Sequence, residues 1–91
     1  MVAKQVTFEG RVQGVGFRYT VKDLARGFDV CGEIRNLPTG EVEMKVMSEP
    51  DELDDFVREI VEESPVAGNI KNHVIENIPL LEGCAGFRIV S

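Results

Sequence analysis

Gly10-Arg11-Val12-Gln13-Gly14-Val15-Gly16-Phe17-Arg18 lies where one periodicity ends and another begins. Upstream, Val6, Phe8 and Val12 share one parity among Lys4, Gln5, Thr7, Glu9 and Arg11, which predicts a half-buried strand running into the glycines. Downstream, Phe17, Val21, Leu24, Ala25 and Phe28 recur at helical spacing, and Gly27 supplies the stop. Glycine permits positive φ and close approach of the backbone to a ligand. Such a turn can aim several N–H groups at one point. The helix that follows adds its own unpaired N–H groups and positive dipole end. Arg18 puts a permanent charge with a planar fork of donors in its first turn. The expectation is a phosphate cradle. The pattern matches neither the Walker nor the dinucleotide fingerprint, so an ordinary glycine loop also stays open at this point.

The rest of the chain supplies the frame. Val30 to Arg35 reads as a second strand, Asn36-Leu37-Pro38-Thr39-Gly40 as a turn, and Val42, Met44 and Val46 as the inward side of a third strand. Ser48 is expected to cap a helix over residues 49–63, whose apolar face is Leu53, Phe56, Val57, Ile60 and Val61. Ser64-Pro65 ends it. A fourth strand lies within Ile70–Ile78, but two phases compete: His73, Ile75 and Asn77 against Val74, Glu76 and Ile78. Phe87-Arg88-Ile89-Val90 reads as a short last strand.

This order predicts one α+β domain over residues 1–91 with the ferredoxin-like split βαββαβ plan, two helices on one face of a four- to five-stranded mixed sheet. Right-handed crossovers make the first two strands parallel, with the third between them. Their C-terminal ends then share one edge of the sheet. The glycine loop and Asn36 would stand two strand spacings apart, roughly 10 Å.

Composition narrows the function. The net charge is −6, yet residues 1–40 carry +2, residues 41–63 carry −8 and residues 64–91 balance. A globally acidic chain without a basic stripe argues against nucleic-acid binding, whereas a small anion could be drawn to the basic first half. No apolar run approaches the ~20 residues of a membrane span. Met1-Val2-Ala3-Lys4-Gln5 does not read as the start of a secretory signal, so a soluble cytoplasmic protein without membrane partners is expected. Cys31 and Cys84 lack metal-ligand spacing and there is one histidine, so zinc is not expected, and no residue pattern calls for a cofactor.

The two helix starts differ in chemistry. The second opens Glu49-Pro50-Asp51-Glu52, covering its positive end with carboxylates, whereas the first has no acid before Asp23. An uncovered helix start after a glycine turn suits an outside anion. Arg18 as a surface residue, Asn36 as a turn former, Lys22 as a solvated side chain and His73 as an unpartnered strand residue are the plain alternatives.

Taken together, Gly10-x-Val12-Gln13-Gly14-Val15-Gly16-Phe17-Arg18 and Gly32-x-Ile34-Arg35-Asn36-Leu37-Pro38-x-Gly40-x-Val42-Glu43 resemble the acylphosphatase family over essentially the whole chain. The resemblance implies metal-independent hydrolysis of a small-molecule acyl phosphate to a carboxylate and inorganic phosphate. It implies phosphate binding by Gln13, Gly14, Val15, Gly16, Phe17 and Arg18, and catalytic roles for Arg18 and Asn36, the latter orienting water. A monomer is expected. Departures are small: Glu33 replaces a common aromatic, Thr39 a common Asp, and His73 falls near a usual apolar position.

Two other functions fit parts of this pattern. A non-catalytic anion-binding domain, or a fragment like the domain carried by larger carbamoyl-transferring proteins, would bind phosphate with negligible turnover. An RNA-binding module of the same strand order would stack bases on sheet aromatics, and Glu41-Val42-Glu43-Met44-Lys45-Val46 offers none. For the cysteines, reduced thiols are the plain expectation. If the last strand runs parallel beside the second, a Cys31–Cys84 disulfide becomes geometrically open and would add about 3–4 kcal/mol.

Overall fold

The computed structural model describes residues 1–90. Alternation becomes strands β1 (Val2–Gly10), β2 (Cys31–Asn36) and β3 (Val42–Ser48), and the last two strands are β4 (Ile70–Ile78) and β5 (Phe87–Ile89). The helices are α1 (Phe17–Ala25) and α2 (Pro50–Arg58), the latter continuing as a wider π-type turn over Glu59–Glu63. The sheet order is β4-β1-β3-β2-β5. β3 runs antiparallel to both β1 and β2, which are therefore parallel to each other, as the crossover rule requires. β5 lies parallel to β2.

The inward side of the sheet is one parity of each central strand: Val6 and Phe8, Ile34, and Val42, Met44 and Val46. These pack with Phe17, Val21, Leu53, Phe56 and Ile60 from the helical layer, all essentially inaccessible. Each such side chain contributes about 1.5–3 kcal/mol by leaving water. The Phe8 and Phe17 rings meet with centroids 5.0 Å apart, tying the end of β1 to the start of α1. Phe56 bridges Phe28 and Phe87 at 5.3 and 5.8 Å.

Four expectations change or resolve. Ser48 does not cap α2. It is the buried last residue of β3, and its hydroxyl donates to the Asp29 carbonyl at 2.6 Å, while Glu49 takes the cap position and Pro50 opens the helix. Placed in the strand and turned towards Asp29, the hydroxyl makes no bond to the first amides of α2. The helical run does extend to Glu63, where Ser64 donates back to the Ile60 carbonyl at 2.6 Å, but its last turn widens.

β4 takes its phase from β1. His73 stands opposite Phe8 and Ile75 opposite Val6, so His73, Ile75 and Asn77 share the inward side. As an edge strand it is only partly covered, and Val74 and Ile75 are equally exposed at 44%. That equality is why no clean alternation was visible. The cysteines are also not free. Cys31 and Cys84 form a disulfide, with Cα atoms 5.9 Å apart. Residues 79–86 must cross from one edge strand to the other, and the bond pins this crossing to the start of β2.

Candidate active site

The parallel β1 and β2 deliver their C-terminal ends to one edge, and the register makes the alignment specific. Phe8 and Asn36 both stand opposite Val42 of the intervening β3. Asn36 shares its parity with Gly32 and Ile34, so its side chain is on the same side of the sheet as the core and the helices. Two strand spacings, roughly 10 Å, separate it from the end of β1.

The glycine stretch covers this edge. Gly10 closes β1 at a register shift with φ 127°, and a Cβ there would lie 2.4 Å from the Asn69 carbonyl oxygen. No side chain fits that contact. Val12 is buried and Val15 half-buried against the core, while Gly14 and Gly16 are exposed, each with φ 77°. Gly16 is the N-cap of α1, and its left-handed conformation turns the chain from loop to helix. Phe17 then anchors the first turn in the core.

The loop's backbone donors are free. Among the described residues, none of the N–H groups from Gln13 through Tyr19 donates to a protein acceptor; the first to do so is Thr20, to the Gly16 carbonyl at 3.0 Å. The first turn of α1 carries no acidic residue, while that of α2 holds Asp51 and Glu52. Arg18 is half-buried and takes part in none of the ion pairs among the described residues. Asn36 presents a buried Oδ1 without a hydrogen-bond partner among the described residues. A buried polar atom of this kind calls for an explanation. Asn36 therefore does not serve its turn through that oxygen. The turn is closed instead by Leu37 N–H to the Glu41 carbonyl at 2.8 Å and Gly40 N–H to the Leu37 carbonyl at 3.1 Å.

Gln13 differs from the rest of the predicted set. Its side-chain Nε2 donates to the Leu37 and Glu41 carbonyls at 2.8 and 2.9 Å. Phe17 is buried, so only its backbone faces the loop. Local spacing carried no signal for the Gln13 contacts, which join residues 24 and 28 positions apart. His73 lies in the same row as Phe8, Val42 and Asn36 but on the far edge strand, about three spacings or 14 Å from Asn36. Lys22 is exposed one turn beyond Arg18.

Among the described residues, no three His, Cys, Asp or Glu side chains cluster closely enough to hold a metal ion. None of the helices among them is long and apolar enough to cross a membrane.

Comparison with known proteins bears on the same constellation. The acylphosphatase family model matches residues 4–89. An acylphosphatase of Enterococcus faecalis is 34% identical over 86 residues, spanning 94% of each chain. The crystal structure of an acylphosphatase from Bacillus subtilis superposes with a TM-score of 0.89 at 32% identity, each chain covered in full. Full-length HypF, in a phosphate- and nucleotide-bound form, contains a similar unit: TM-score 0.81 at 26% identity, over 99% of this chain and 12% of that one. With a match from one end of the sheet to the other, and relatives of its own length, the chain belongs to the acylphosphatase family.

Proposed function

We propose that the chain hydrolyses the carboxyl–phosphate bond of acyl phosphates without a metal, with the 13–18 loop and Arg18 holding the phosphoryl group and Asn36 orienting the attacking water. Family membership supports the overall reaction, acyl phosphate hydrolysis. The observation that carries the residue assignment is the run of N–H groups from Gln13 to Tyr19 that find no acceptor among the described residues, beside an Arg18 with no ion partner among them.

Phosphoryl transfer is largely positioning and electrostatic stabilisation of spread-out negative charge. Backbone N–H donors and a bidentate guanidinium are suited to the three equatorial oxygens. Water attacks phosphorus in line with the departing carboxylate oxygen. The P–O bond to the acyl group breaks and its electron pair leaves with the carboxylate. The water's proton passes to a phosphoryl oxygen, giving inorganic phosphate. Asn36 Oδ1, buried and without a hydrogen-bond partner among the described residues, is the acceptor that a water O–H would satisfy, fixing that water by orientation alone.

Steady-state hydrolysis of acetyl and benzoyl phosphate, with a chelator present, tests this. Arg18→Lys and Asn36→Ala should each lower kcat at least about 100-fold, as removal of one transition-state donor does elsewhere. Activity that survives both substitutions sinks the residue assignment, and activity abolished by the chelator sinks the metal-free mechanism. Phosphate binding without turnover in the unmodified chain would favour a non-catalytic anion-binding domain.

A further inference from the structure

Gln13 stands within the glycine stretch, yet its side chain is engaged elsewhere. Nε2 lies 2.8 Å from the Leu37 carbonyl oxygen and 2.9 Å from that of Glu41. Both neighbours are acceptors, which settles the orientation of the amide, since the flipped form would set oxygen against two oxygens. A primary amide has two N–H donors. Both are occupied, and neither is left for a phosphoryl group.

The two carbonyls shape the turn that follows Asn36. The Leu37 oxygen also accepts from Gly40 N–H, and the Glu41 oxygen from Leu37 N–H. One side chain thus joins the loop to the residue directly after Asn36. Other anchors act differently: Val12 and Phe17 seat the two ends of the loop in the core, and Arg11 N–H bonds the Asn69 carbonyl. Among the described residues, no other hydrogen bond links residues 11–16 to the turn between β2 and β3.

We propose that Gln13 is a positioning residue whose amide sets the distance between the phosphate loop with Arg18 and the water-orienting Asn36. This rests on the reading of Arg18 and Asn36 given above. The phosphoryl group is held from the β1–α1 side and the water from the β2 side, so their alignment depends on how these two parts are joined. A misplacement of about 1 Å can lower the rate about 100-fold.

Gln13→Met keeps the length of the side chain and removes both donors. Gln13→Glu keeps the shape and regains one donor only when protonated. Both are assayed beside the unmodified chain, Arg18→Lys and Asn36→Ala, with acetyl phosphate as substrate and inorganic phosphate as competing ligand. For Gln13→Met, kcat should fall about 10- to 100-fold while the phosphate Ki stays within about threefold. For Gln13→Glu, kcat relative to the unmodified chain should climb as pH falls from about 8 to about 5, because protonation restores a donor.

A lowered thermal midpoint with unchanged kcat would mean a structural brace only and overturn the proposal. So would a raised phosphate Ki with kcat retained, the mark of a direct ligand. If Gln13→Met does not fold, the pH series on Gln13→Glu decides alone, and a flat ratio refutes it. Activity retained in Arg18→Lys and Asn36→Ala would instead refute the site reading, and this proposal with it.

Discussion

An acidic residue placed in the first turn of α1 should stabilise the fold and weaken phosphate binding at the same time. Tyr19 is the suitable position. It is the third residue of the helix and 70% exposed, so replacing it removes little packing. Tyr19→Gln serves as the uncharged control for Tyr19→Glu. A carboxylate at this end interacts with the helix dipole by about 0.3–1 kcal/mol. Local pairs nearly cancel, since Lys22 is three residues on and Asp23 four. The glutamate variant should therefore melt a few degrees above the glutamine one, given about 4–8 °C per kcal/mol for a domain of this size.

Binding moves the other way. A carboxylate about one and a half turns, roughly 8 Å, from a phosphoryl group with two charges repels it by about 1 kcal/mol at the dielectric of water. That is about a fivefold rise in the phosphate Ki at low ionic strength. The difference should shrink towards nothing at about 1 M salt, where the screening length is about 3 Å. Thermal melts and competitive inhibition by phosphate, each across a salt series, provide the readout. Equal Ki values for the two variants at low salt would show that the phosphate does not sit at this helix end, and the argument from its uncovered dipole would fail.

Two further outcomes test the frame around the site. Gly10→Ala should cost about 3 kcal/mol or more in urea denaturation, because the new Cβ meets backbone atoms of Asn69 and Lys71, whereas Gly14→Ala meets nothing and should cost only the left-handed penalty of about 1–2 kcal/mol. Equal costs would refute the close-approach argument at Gly10. Reducing the Cys31–Cys84 bond, which spans 53 positions, should remove up to about 4 kcal/mol of stability. Thiol titration in denaturant should find none before reduction and both afterwards, and free thiols beforehand would contradict the bond.

What this sequence determined by itself is what repeats or marks the chain locally. Alternation at Val42, Met44 and Val46, helical spacing from Phe17 to Phe28, and glycines at positions 10, 14 and 16 each reflect the geometry of a few neighbouring residues. Together with the handedness of crossovers, they were enough to bring the glycine loop and Asn36 to one edge of the sheet. The resemblance carried by Gly10–Arg18 together with Gly32–Glu43 is what pointed to Arg18 and Asn36.

What depended on distant partners was not legible. Ser48 has the chemistry of a cap, but folding keeps it as the last residue of β3, turned towards the Asp29 carbonyl, and leaves the cap position to Glu49. β4 acquires a phase only from its pairing with β1, because an edge strand with both sides partly exposed is under little pressure to alternate. The Cys31–Cys84 bond was open from the sequence only on condition that the last strand lies parallel beside the second, and the fold supplies that placement of β5. Gln13 reads as one more loop residue until the turn from Leu37 to Glu41 is folded against it. Each of these is a contact between segments that carry no mark of one another, and only the packed sheet brings them within bonding distance.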